Sequence, residues 1–273
     1  MAYFKYLNKN IYYEISGTGK PVIILNGIMM STRSWDVFTD SFSAEFMFIR
    51  VDFIDQGRTD SFSESYDLGM QVELLKELIE VLKLEKVNLV GISYGGEVAL
   101  SFAIKYQSLV ERMIVFNTVS HTNKKLAETG HLWNYHAKLR NYEKYYDLTI
   151  PVIYSDDFIN ENHEWMKKRE GLLLNGPFKD HGFLDRMIRL TDSAEFYDVR
   201  EELSKLFIPV LIVGAEEDKL TPLFEQRLLK SLIPGSKLII FPGVGHASMY
   251  EVPELFVSVV IGYFKPHKID YKI

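Results

Sequence analysis

The sequence predicts an α/β fold, a mostly parallel sheet flanked by helices with a helical module inserted into it. Three observations predict it. Short apolar runs rich in Val and Ile recur at residues 22–25, 47–51, 87–90 and 113–116, continuous rather than alternating, as in strands buried on both faces. Helix-period segments separate these runs, the rhythm that builds a parallel sheet. Between residues 120 and 200 the rhythm stops, and it resumes afterwards.

Residues 3–7 and 11–15 read as a hairpin turning across 8–10, so the sheet opens with antiparallel strands. Leu68, Val72, Leu75, Ile79 and Leu82 recur at spacings of three and four and predict a helix over 68–82, with a second over 98–106. From 120 to 200 the one Val/Ile run is 150–154. The rest reads as helical pieces, including 137–146 and 161–173, punctuated by Gly176 and Pro177. A strand over 209–214, a helix over 222–233, a strand over 237–241 and a helix over 253–264 follow. Pro151, Pro209 and Pro234 stand at element boundaries, where a missing N–H is tolerated. The expected organisation is one core made of 1–119 and 201–273, with 120–200 inserted as a helical lid.

A chain of 273 residues, 47% hydrophobic and 25% charged, has the composition of an ordinary folded domain with a full core. Its net charge of −6 gives no global attraction to nucleic acid or anionic lipid, and neither is expected as a partner. Cysteine is absent, which excludes disulfides, thiol nucleophiles, Cys-ligated zinc and iron–sulfur clusters. His131 and His136 are five apart, wrong for one helical face, and no H-E-x-x-H occurs, so no metal and no cofactor are expected. The first ten residues lack the apolar run of a secretory signal, and the longest apolar stretches, 21–30 and 255–264, fall short of the ~18 residues that span a bilayer. A cytoplasmic protein without a stable membrane anchor is expected, and assembly as a homodimer stays open.

The chemistry-bearing motif follows the strand at 87–90. Gly91, Ile92, Ser93, Tyr94, Gly95 form G-x-S-x-G ahead of an amphipathic helix. The string alone is weak, since a helix-capping Ser or a phosphate-cradling loop can carry it. There is no Walker lysine, however, and the glycine spacing is not that of a dinucleotide loop. A sharp strand-to-helix turn holds its central residue in a strained conformation, and glycines two residues either side remove Cβ atoms expected to collide with it. The turn also sets Ser93 at a helix N-terminus, where free N–H groups hold an anion, with the Tyr94 N–H as one donor.

A Ser hydroxyl needs a base, and the base needs an orienting acid. His246 follows the strand 237–241 across Pro242, Gly243, Val244 and Gly245, in a loop able to turn one side chain inward. Glu216, Glu217 and Asp218 follow the strand 209–214, and Asp218 is preferred because it lies nearest the next helix start at Thr221 and Pro222. All three catalytic candidates then lie at carboxyl ends of parallel strands. A second oxyanion donor is the N–H of Ile28, in the loop Asn26, Gly27, Ile28, Met29 after the strand at 22–25.

With these residues in place the chain resembles the α/β-hydrolase superfamily over essentially its whole length. The order Ser93, Asp218, His246 is the superfamily's, as is a lid after the sixth of eight strands. Asn26-Gly27 stands where the family has His-Gly, and Asp52 to Asp60 resembles its Asp-x-Arg-Gly-x-Gly-x-Ser segment with Ile54 and Asp55 for Arg and Gly. Both departures remove residues that usually shape those loops. The resemblance implies a serine hydrolase, and Ser93 argues against the Asp-dependent dehalogenases and epoxide hydrolases.

The substrate side is open. Met29 and Met30 form a flexible apolar wall beside the oxyanion turn. Trp133, Trp165 and Phe183, with Tyr145 and Tyr146, are candidates for an acyl pocket, and Arg186 and Arg189 stand three apart for a substrate carboxylate. The expected activity is cleavage of a small, largely apolar ester, lactone or thioester. The alternative is a carbon–carbon bond hydrolase or lyase acting with the same triad on a carboxylated substrate, with a peptidase or a non-catalytic ligand-binding module behind it.

Overall fold

The structure is a computed structural model that describes residues 2–265; Met1 and residues 266–273, the end of the expected core segment, lie outside the described residues. Its strands are β1 (Ala2–Tyr6), β2 (Lys9–Ser16), β3 (Pro21–Leu25), β4 (Met47–Val51), β5 (Val87–Ile92), β6 (Val110–Phe116), β7 (Val210–Ala215) and β8 (Lys237–Phe241). They form one 8-stranded sheet in the order β1-β2-β4-β3-β5-β6-β7-β8. β2 pairs antiparallel with β1 and β4, and every other pairing is parallel.

Helices α1 (Thr39–Ser43), α2 (Gly69–Val81) and α3 (Tyr94–Lys105) lie in the first half. Helices α4 (Lys124–Lys138), α5 (Tyr142–Thr149), α6 (Asp156–Glu161), α7 (His163–Leu174) and α8 (His181–Ser193) come between β6 and β7, and α9 (Leu223–Leu232), α10 (Ser248–Glu251) and α11 (Pro253–Phe264) follow. A bridge between His121 and Asp198 closes the base of the five-helix segment. No helix among the described residues is long and apolar enough to cross a membrane.

The continuous apolar runs have a direct cause in the packing. Ile23 and Leu25 point into the core with α2 and α3, whereas Val22 and Ile24 point into the opposite core with Trp35, Phe38 and Phe256. Both faces of β3 are therefore buried, and alternation disappears. In that second core Phe256 lies 4.8–6.2 Å, ring centre to ring centre, from Phe116, Phe38, Phe42 and Trp35, and ties α11 to the sheet.

Several boundaries move for identifiable reasons. The first hairpin turns at Leu7 and Asn8, both at positive φ (47° and 62°), and not across 8–10, because a two-residue turn of that hand matches strand twist. β6 begins at Val110, since Glu111 and Arg112 are half-buried strand residues that an apolar-run criterion passes over. The expected helix over 137–146 is two helices: Arg140 takes a left-handed φ of 55° and Asn141 Oδ1 accepts the Lys144 N–H to start α5. α4 itself is capped by Asn123, whose Oδ1 accepts from Leu126 N at 3.0 Å. The 150–154 run forms a short 3₁₀ turn, Pro151–Ile153.

Truncating the aromatic hub tests this account of the core. Phe256→Ala is expected to cost about 3–5 kcal/mol, the usual range for a buried phenylalanine, measured by urea unfolding with the slope unchanged.

Candidate active site

β3 lies between β4 and β5, so the connections leaving β3 and entering β5 diverge to opposite sides, and the crevice at their carboxyl ends is the natural place for a ligand. The loop 26–31 leaves β3 there, and Ser93 leaves β5. Ser93 has φ 53° and ψ −120°, a conformation rarely adopted by a side-chain-bearing residue. Two contacts hold it: its N–H donates to Phe116 O at 2.9 Å, and Thr118 Oγ1 donates to its carbonyl at 2.8 Å. Its hydroxyl caps no helix N–H, and Ser93 borders the cavities at this crevice.

The flanking glycines are needed for packing against neighbours of the turn. A Cβ on Gly91 would stand 2.5 Å from the Gly95 carbonyl oxygen, one on Gly95 would strike the Leu25 carbonyl, and one on Gly96 would stand 2.6 Å from Thr118 Cβ. The collision expected with Ser93 itself is not among these close approaches. α3 starts at Tyr94, earlier than periodicity shows, because two glycines hide its first turn.

His246 is buried, and its Nδ1 lies 2.8 Å from Asp218 Oδ2. Asp218 accepts from Leu220 N and Thr221 N at Oδ1, and from Asn117 Nδ2 and Thr221 Oγ1 at Oδ2, all within 2.9 Å. Burial pushes this carboxyl up, but adjacent His246 and the hydrogen bonds from His246, Asn117 and Thr221 outweigh it and hold the carboxyl below its ordinary range. Glu216 instead accepts from Gly243 N at the surface, and Glu217 stays exposed. Ser93 and His246 border the same cavity without a hydrogen bond between them, a contact that commonly tightens with substrate bound.

The loop after β3 is braced by the side chains of Asn26 and Gln56. Asn26, fully buried, accepts from Trp35 Nε1 at 2.7 Å and donates to Val51 O and Gln56 Oε1. Gln56 Nε2 donates in turn to the carbonyls of Gly27 and Ile28 at 2.9 and 3.3 Å. Those carbonyls are held from outside, and among the described residues neither the Ile28 N–H nor the Tyr94 N–H donates to a protein acceptor.

The main cavity at Ser93, about 260 Å³, is bordered by Ser93, His246, Ile28, Met29, Met30 and Trp133, with Ile150, Ile153, Leu173 and Arg169 from the helical segment. A smaller one, about 60 Å³, also borders Ser93, Ile28 and Trp133, and adds Tyr94 and Glu97. Other expected substrate contacts lie elsewhere. Trp165 is 39% exposed and packs edge-on against Tyr154 and Phe158. Phe183 stacks on Phe178, and Tyr145 and Tyr146 pack against that same ring, all within the helical segment's own core. Arg186 lies over Phe183 and 3.8 Å from Asp180. Arg189 forms a two-pronged pair with buried Asp55, at 2.7 and 2.8 Å. α8 turns Leu184, Met187 and Leu190 inward to the helical core, which carries both arginines away from the cavity.

Four residues escaped the sequence reading. Asn117 stands just past a strand run, Gln56 inside the 52–60 segment and Glu97 four residues after Ser93, so each had a positional signal. Arg169 had none beyond lying in a helix.

The Asp55–Arg189 pair joins the loop after β4 to α8. Arg189→Met strands a buried carboxylate on its Tyr66 and Phe62 donors and is expected to cost about 3 kcal/mol; adding Asp55→Asn recovers part of it, read by denaturant unfolding of the double-mutant cycle.

Comparison with known proteins agrees with this architecture. A family model described as alpha/beta hydrolase fold matches residues 20–253. The crystal structure of MGS-M2, an alpha/beta hydrolase enzyme from a Medee basin deep-sea metagenome library, is 47% identical, covers 100% of both chains and superposes with a TM-score of 0.96. A putative 2-succinyl-6-hydroxy-2,4-cyclohexadiene-1-carboxylate synthase of Bacillus subtilis is 25% identical over 93% of this chain and 95% of its own. A pimeloyl-[acyl-carrier protein] methyl ester esterase of Nitrosomonas europaea is 25% identical over 91% and 97%. The chain belongs to the alpha/beta hydrolase fold family and is an enzyme of hydrolase type.

Proposed function

We propose that the protein is a serine hydrolase that cleaves a small, largely apolar carboxylic ester, lactone or thioester through an acyl-enzyme. The observation that carries this reading is the strained Ser93 at the end of β5, sharing a cavity with a His246 whose other nitrogen is held by Asp218. Ser93 Oγ attacks the substrate carbonyl while His246 Nε2 takes its proton, and the negative oxygen forms between the N–H groups of Ile28 and Tyr94. The carbonyl re-forms, the alcohol or thiol leaves with the proton from His246, and water then releases the acid by the same steps. Asp218 keeps Nδ1 protonated and stabilises the imidazolium. Met29, Met30, Trp133, Ile150 and Leu173 supply an apolar wall for the acyl chain, and the proposed partner is this small molecule alone.

Labelling with a fluorophosphonate tests the nucleophile. The wild type is expected to label and Ser93→Ala to remain unlabelled; equal labelling of both overturns the assignment. Asp218→Asn, which keeps the shape but loses the charge, is expected to lower kcat by roughly 10⁴ on a short-chain acyl ester.

A second reading, hydrolysis or elimination at a carbon–carbon bond of a carboxylated substrate, is favoured by one observation. Arg186 and Arg189 are committed elsewhere, but Arg169 of α7 borders the main cavity, makes no ion pair among the described residues and has a buried Nε without a partner. The rings of Tyr154, Trp165 and Tyr250, 5.3–5.9 Å away, hold its guanidinium in place. The test compares an ester whose acyl chain ends in a carboxylate with the uncharged ester of equal length. A wild-type preference for the anion that falls about tenfold or more in Arg169→Gln supports a carboxylated substrate, and a preference unmoved by the substitution removes it.

A further inference from the structure

One carboxyl on the nucleophile's own helix is unused by the chemistry above. Glu97 lies one turn after Ser93 on α3, its N–H bonded to the Ser93 carbonyl at 3.2 Å. It is 6% exposed, and its Oε2 is buried with no hydrogen-bond partner. Among the described residues no cation pairs with it. An unpartnered carboxyl in a packed helix is costly, and an apolar residue of similar size would serve packing better. Burial alone pushes it up to about 8.

Glu97 borders the smaller cavity, which opens on Ser93 and shares Ile28, Trp133 and Leu220 with the main one. The other titratable groups on that wall are Asp192, held by Asn134 Nδ2 at 2.6 Å, and Glu195 with His131, 2.8 Å apart. The phenols of Tyr94 and Tyr197 also lie within electrostatic reach of Glu97. No lysine or arginine is among the residues bordering the cavity. Its 60 Å³ matches about two waters at their liquid volume, the size of a dimethylammonium head whose ethylene link lies toward Ser93.

We propose that Glu97 and the acidic wall beside it form a subsite for an ammonium group on the substrate arm that lies opposite the main cavity. The proposal rests on Ser93 being the reacting centre and narrows the substrate class to esters with an apolar acyl part and an amine-bearing arm. The ammonium pairs with the ionised carboxyl, so binding releases the Glu97 proton. Affinity therefore rises with pH toward 8, the ammonium itself staying charged.

Two esters differing only in charge provide the test: 2-(dimethylamino)ethyl butanoate and its carbon isostere 3-methylbutyl butanoate, at pH 7.5. The wild-type ratio of kcat/KM, charged over neutral, is expected to exceed that of Glu97→Gln by about tenfold or more, the size of one charge-assisted contact. An equal ratio in the two proteins overturns the subsite. Binding is read separately, by the thermal shift that n-propylammonium chloride gives to Ser93→Ala against equal n-propanol and sodium chloride. A stabilisation that strengthens from pH 6.5 to 8 and vanishes in Ser93→Ala/Glu97→Gln supports the subsite even if neither ester is hydrolysed, the result that would sink the Ser93 reading. No stabilisation, or one indifferent to Glu97, overturns it.

Discussion

The close approach of α3 to the ends of β3 and β5 is the constraint on which the rest of the structure depends. Only glycine fits at 91, 95 and 96, because the Gly95 and Leu25 carbonyls and the Thr118 side chain occupy the space a Cβ would take. With those contacts made, Ser93 stands at φ 53°, its N–H tied to Phe116. Strain of this kind costs on the order of 1–3 kcal/mol and persists only where surrounding packing over-determines it. Here the two cores on either side of the sheet supply that packing. The same approach sets the first turn of α3 beside the loop after β3, so the Tyr94 and Ile28 amides share one crevice with the Ser93 hydroxyl.

The loops at this sheet edge are held by buried hydrogen bonds as well as by apolar residues such as Phe53, Ile54, Val119 and Val244. Asn26 links Trp35, Val51 and Gln56, and Gln56 carries the link to the carbonyls of Gly27 and Ile28 in the loop after β3. On the other side, Asn117 joins Asp218 to Ser248 and takes a left-handed φ of 47° to do so. Each network uses nearly all its donors and acceptors, the condition under which a buried polar group fixes geometry at little cost. The His246 loop meets the helical segment as tightly: a Cβ on Gly245 would stand 2.5 Å from Ser155 N, and Glu251 binds both Ser155 and Gly245. Core and helical segment thus share the wall that faces Ser93.

Charge divides the space around Ser93. The larger cavity carries Arg169 and the smaller one Glu97, Asp192 and Glu195, so side chains of opposite charge border the two cavities that meet at Ser93. The Asp55–Arg189 pair is separate from both; it is a strut between the loop after β4 and α8. That strut explains the departure at Asp55, where the family's glycine would leave Arg189 without its partner.

Local pattern determined a good deal by itself. Strand and helix periods, the G-x-S-x-G string between them, and the placement of Asp218 and His246 just after strand runs all depend on residues within one or two turns of each other, which any sequence displays. The same locality explains the errors: glycines hid the first turn of α3, Glu111 and Arg112 hid the start of β6, and the Leu7–Asn8 turn lacks the usual glycine. Tertiary structure alone decided which charges meet. Arg189 finds Asp55 across 134 positions of sequence, Arg169 reaches the cavity while Arg186 does not, and Glu97, beside Ser93, finds no partner for its buried Oε2 among the described residues. Those outcomes follow from the angles at which the five inserted helices pack on the sheet, and such angles are a sum over many side chains that no single segment encodes.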